Sequence, residues 1–164
     1  MKEIDTSKYS KESLEFINKL SEKALEESIV SIRELTSKSY VIIGVYFSIQ
    51  VFCIERYISD IEKDIFLIIC LSFLIPVIII FKNLLPTKMN FVGSRGDLLI
   101  HDYFEQKKEN QIKHYLSARI EDLNTSNKLN GEQIVLRNLR IKFSIVLAFV
   151  NVVIISLWFW NISA

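Results

Sequence analysis

The chain has 164 residues, half of them hydrophobic and 24% charged, with a formal net charge of +1. So short a chain cannot hide both populations in one globular core, which excludes a simple soluble domain unless the two are segregated along the sequence. They are segregated, and the near-zero net charge points to no class of partner.

The first 38 residues are strongly charged, so no signal peptide is expected ahead of the apolar segments. MKEIDTSKYS has no periodicity. From Ser10 onward Leu14, Ile17, Ala24, Leu25, Ile29, Ile32 and Leu35 recur at helical spacing among Lys, Glu and Ser. Ser10 suits an N-cap and Glu12 the first turn. Only Gly44 interrupts the pattern between Lys11 and Tyr57, so one helix is expected to run from a polar head (1–38) into a first membrane span (39–57). The apolar stripe of the head is expected to pack on the other polar segment. Lying flat on lipid is the alternative, and the stripe's glutamates oppose it.

A short loop (58–63) leads to the most apolar stretch. Residues 65–81 form seventeen residues without a charge, closed by Asp64 and Lys82. At about 1.5 Å per residue they reach about 25 Å as a helix, close to the hydrocarbon thickness of a bilayer. The stretch shows no polar face, unlike the core helix of a soluble protein. Pro76 is tolerated in a spanning helix when neighbours satisfy the carbonyl it frees. A second span is therefore placed at 64–82.

The block 83–142 follows. NLLPTKMNFVGSRGD (83–97) reads as a connector, punctuated by Pro86, Gly93 and Gly96. Its GSRGD could hold a phosphate through Arg95 and turn amides, but it lacks the lysine and strand context of a P-loop; a turn capped by Asp97 is the plainer reading. Residues 97–123 look helical, NTSNKLNG (124–131) is expected to be a loop, and Ile134 to Lys142 lead into the third uncharged run. That run (143–162) ends in Trp158, Phe159 and Trp160, as at a membrane interface. The expected fold class is thus an all-α membrane protein, with three transmembrane helices and a cytoplasmic helical assembly.

Orientation follows from the basic residues. Residues 1–38 hold seven Lys and Arg, residues 82–142 hold eleven, and the loop 55–64 holds two against four acids. The positive-inside rule puts the head and the long block in the cytoplasm and the loop outside.

Catalysis is not expected. His101-Asp102 lacks the further ligands of a metal hydrolase, His114 is the only other histidine, and G-x-S-x-G, P-loop and C-x-x-C patterns are absent. Cys53 and Cys70 fall within spans and act as small apolar residues, so neither a disulfide framework nor a cofactor is implied. The glycosylation triplets at Asn124 and Asn161 fall in the cytoplasm and beside the membrane in this topology.

Two sets of site residues stand out. Gly44 and Ser48 share a face of the first span, and Ser144, Ala148 and Asn151 share a face of the third. Small residues at this spacing make helix contacts. The sharper reading is a pore wall, which needs a homo-oligomer because three spans cannot enclose a conduit, with the acidic loop 55–64 giving a cation-favouring mouth. Lys107, Lys108, Lys113 and Arg119, with Tyr103 and Tyr115 nearby, could hold an anionic nucleotide or short single strand by phosphate contacts and stacking. A solvated face balanced by Glu105, Glu109, Glu121 and Asp122 is the alternative.

In layout, a three-span chain with a charged N-terminal helix and a cytoplasmic helical block resembles the membrane effectors of bacterial anti-phage defence, and among them the channel-forming Hailong type. The resemblance implies a homo-oligomeric, tetrameric channel in the inner membrane of a bacterium, N-terminus in the cytoplasm. It implies gating by a nucleotide signal from a partner nucleotidyltransferase; in the Hailong type a DNA oligomer keeps the channel shut. A holin-like or toxin-like protein and a non-channel subunit of a larger membrane complex are the alternatives.

Overall fold

The computed structural model describes residues 8–59, 63–86 and 111–163. They form three helices and no strands: α1 (Lys11–Ile58), α2 (Lys63–Phe81) and α3 (Gln111–Ser163). The long α1 begins as its sequence predicts. The Ser10 hydroxyl accepts the Ser13 amide at 3.1 Å, filling one of the donors a helix start leaves open. Hydrogen bonds from the backbone amide and Ser10 hold the Glu12 carboxyl below its usual pKa. α2 ends in turns, with the amides of Asn83 and Leu84 donating to the carbonyls of Ile80 and Phe81, and Pro86 follows.

One sequence expectation is overturned. Residues 124–131 do not form a loop; α3 runs through them without a break. Asn, Thr and Ser cost only tenths of a kcal/mol each in a helix, and an isolated Gly about 1 kcal/mol. No proline enforces a stop, and packing on both sides of the segment outweighs those small penalties. Leu123 is buried with Leu25 and Ile29, and buried Asn130 donates to the Ser28 hydroxyl at 3.1 Å. Thr125 is accommodated by bonding back to the Glu121 carbonyl at 2.9 Å. The expected helix over 97–110 lies outside the described residues.

The chain divides into two compact units, Met1–Ile32 with Lys88–Ile134, and Arg33–Thr87 with Val135–Ala164. In the first, α1 and α3 run parallel. Leu14 packs with Leu116 and Ile120, flanked by Ile17 and Tyr115, and Leu25 and Ile29 close on Leu123. The head stripe therefore meets the other polar segment, as its periodicity implied. In the second unit α2 runs antiparallel between the parallel α1 and α3. Tyr46, Phe73, Val77 and Ala148 make one core cluster, and Ile43, Ile80 and Ile141 another. The Tyr46 and Phe73 rings meet edge to face with centroids 5.8 Å apart.

Two helices, Lys11–Ile58 and Gln111–Leu157, are long and apolar enough to cross a membrane, while Phe66–Phe81 is a shorter apolar helix.

Candidate functional site

The interior of the second unit is not uniformly apolar; it carries two polar knots where the three helices meet. The first is built around Pro76, whose side chain is fully buried in α2. Proline has no N–H, so the carbonyl four residues earlier, that of Ser72, loses its helical donor. The Asn151 side-chain amide of α3 donates to that same carbonyl at 3.0 Å. One residue type in α2 creates the vacancy, and one in α3 fills it.

Ser144, two turns earlier on the same face of α3, is fully buried. Its Oγ lies 3.0 Å from the Pro76 carbonyl and 3.2 Å from the Tyr46 hydroxyl, and Tyr46 donates to the Ser144 carbonyl at 3.2 Å. Ala148, between Ser144 and Asn151, joins the apolar cluster with Tyr46, Phe73 and Val77. All three α3 residues therefore face α1 and α2 of their own chain. These contacts fit the helix-contact reading of their spacing: the Ser144 hydroxyl and the Asn151 amide nitrogen each bond a neighbouring helix.

The second knot centres on Asn83, just past the end of α2 and fully buried. Its amide donates to the Ser39 hydroxyl at 3.2 Å and to the Arg137 carbonyl at 3.1 Å. Arg137, only 3% exposed, donates from one terminal nitrogen to the Asn83 carbonyl and to the Thr36 hydroxyl, each at 2.6 Å. Arg140 reaches the Asn83 side-chain oxygen at 3.4 Å. Burial, with the charge of Arg140 nearby, pulls Arg137 below its ordinary pKa. The knot ties α1, the end of α2 and α3 together through five polar side chains.

Sequence reasoning missed this knot, since Arg137 and Arg140 entered that reasoning only in the count of basic residues over 82–142 that sets orientation. A signal was present. The face of Ser144, Ala148 and Asn151, extended backward at the same three- and four-residue steps, passes through Ile141 and then Arg137, which are both buried. Asn83 carried no comparable signal.

The remaining site residues separate. Gly44 and Ser48 are exposed; the Ser48 hydroxyl bonds back to the Gly44 carbonyl at 2.9 Å, and a Cβ at Gly44 would meet nothing within 4 Å. The space beside Gly44 is therefore open among the described residues. Arg119 lies in the first unit, where it donates to Glu22 and, at 2.9 Å, to the Tyr115 hydroxyl. These partners, Tyr115 foremost, raise its pKa. Its guanidinium is thus engaged with Glu22 and Tyr115 while its side chain stays 28% exposed. Lys113 is half-buried one turn before Ser117. Arg95, Lys107 and Lys108 lie outside the described residues.

Among the described residues no group of three or more His, Cys, Asp or Glu is placed to hold a metal ion. The class these features define is an all-helical chain with two helices able to cross a membrane and a hydrogen-bonded three-helix interior. No family model, curated protein or solved structure matches it.

Proposed function

We propose that this chain is a three-span membrane protein that assembles with copies of itself into a gated ion channel, an effector of the kind used in bacterial anti-phage defence. In this reading α2 is the middle span and α3 the last. An anionic nucleotide or oligonucleotide at the cytoplasmic basic residues controls the conduit. The observation that carries the membrane part is the outer surface of the second unit. Val41, Val51, Ile68, Ile78, Phe149 and Ile154, on all three helices, are each about half exposed or more, which only a lipid environment or a protein partner accommodates at this density.

The interior supports placing the conduit between copies. Tyr46, Phe73, Val77 and Ala148 fill the space between the helices of one chain, so ions have no path through a single protomer. Gly44 and Ser48 face outward and leave room for the close approach of a second helix.

Planar-bilayer recordings of the purified protein test the reading. Discrete conductance steps that change on adding nucleotides or short single-stranded DNA are expected, and Gly44→Leu should abolish them along with assembly. A monomer in several mild detergents, with no conductance under any condition, would sink the channel and leave a docking subunit.

A further inference from the structure

α3 carries a second line of residues, on the side away from its own knots. Leu136, Leu139, Phe143, Val146, Val150 and Val153 follow one another at steps of three, four, three, four and three, and all are exposed. The same steps reach exposed Leu157 and Trp160. This is the a/d repeat of a coiled coil, sustained for more than three heptads. Glu132 occupies the preceding step, so the line begins at Leu136.

Exposure within the uncharged run selects nothing, since Ile145, Phe149 and Val152 are exposed there too and lipid can cover them all. The stem decides. At about 1.5 Å per residue Leu136 lies about 10 Å before Phe143, among Arg137, Asn138, Arg140 and Lys142, where hydrocarbon does not reach. Even so, Leu136 is 46% and Leu139 56% exposed, whereas the neighbouring line, which starts at exposed Val135, is broken in the stem by Asn138 and Lys142. Lipid cannot cover the stem leucines, and a soluble partner cannot follow the same line into a bilayer. Only a helix that crosses at the same place with a matching 3.5-residue repeat can cover both parts. A second copy of α3 supplies it, and copies inserted by the same rule are necessarily parallel.

We infer that the Leu136–Trp160 line of α3 is the seam along which copies of this chain associate, as a parallel left-handed helix pair or ring. This rests on the homo-oligomer reading above and adds its surface, orientation and register. The test is cysteine scanning of the full-length protein in native membranes, with Cys53→Ser and Cys70→Ser as background and a short bifunctional maleimide as probe. Cross-linking of identical positions should peak at Leu136→Cys, Leu139→Cys, Val146→Cys and Val150→Cys, several-fold above Asn138→Cys, Ile145→Cys and Val152→Cys. Adding Leu136→Lys with Leu139→Lys, both outward-facing, should lower the Val150→Cys product several-fold. Peaks shifted to 138, 145 and 152, or a uniform yield, overturn the seam. Efficient cross-linking at Ser48→Cys with none along α3 overturns the seam while the oligomer stands. No cross-linking at any position overturns both.

Discussion

The exchange between Pro76 and Asn151 can be tested by a double-mutant cycle. Asn151→Leu keeps the branching at Cγ, with a larger side chain, but strands the Ser72 carbonyl, which Pro76 has already deprived of its helical donor. Stranding a buried acceptor costs about 1–3 kcal/mol, while interhelical hydrogen bonds in membranes average about 0.6 kcal/mol. The substitution should therefore destabilise the three-helix unit by about 1–2 kcal/mol. In a Pro76→Ala background the alanine's own N–H is available to the same carbonyl, and the same substitution should cost less than about 0.5 kcal/mol. The difference, about 1 kcal/mol, lies within the range for directly coupled residues. Titration of the purified chain from mild into denaturing detergent, followed by helicity, measures all four corners. Equal losses in both backgrounds would refute the assignment, since Asn151 would then act independently of the missing N–H. No loss in the Pro76 background would mean that the carbonyl is satisfied elsewhere.

Other consequences follow from the same geometry. Asn83→Ala removes the donor to Ser39 and to the Arg137 carbonyl, and should cost about 1–3 kcal/mol in the same titration; an unchanged midpoint would show that the knot holds nothing together. Gly131→Ala should stabilise α3 by about 0.5–1 kcal/mol, because glycine is poor within a helix and the new Cβ meets nothing within 4 Å; a destabilised variant would argue for a break at 124–131. Glu22→Gln should lower stability by no more than about 1 kcal/mol, since both side chains of its pair with Arg119 are more than a quarter exposed, and melting in low and high salt should show the loss shrinking with ionic strength.

Much of the architecture follows from the sequence alone, because it depends on local pattern. The 3.6-residue recurrence from Leu14 to Leu35 fixes which face of α1 is buried, and Ser10 fixes where the helix starts. With no breaker but Gly44 between Lys11 and Tyr57, that helix stays continuous. Segregation of charge from apolar runs places α2 and the end of α3, and the common face of Ser144, Ala148 and Asn151 is visible in their spacing. What the pattern cannot decide is which neighbour each face meets. Asn151 has the same spacing whether it lines a conduit or serves a carbonyl; only the position of Ser72 beside it assigns the second role. Residues 124–131 look like a loop because six of the eight are Asn, Thr, Ser or Gly, weak helix formers, and the burial of Leu123 and Asn130 against α1 reverses that. Charge counting says nothing of the partners of Arg137 and Arg119; the structure gives Asn83 and Thr36 to the first and Glu22 and Tyr115 to the second. Periodicity reports how a helix divides its own surface. Hydrogen-bond partners about 40 to 100 residues apart in sequence are chosen only when the helices are set side by side.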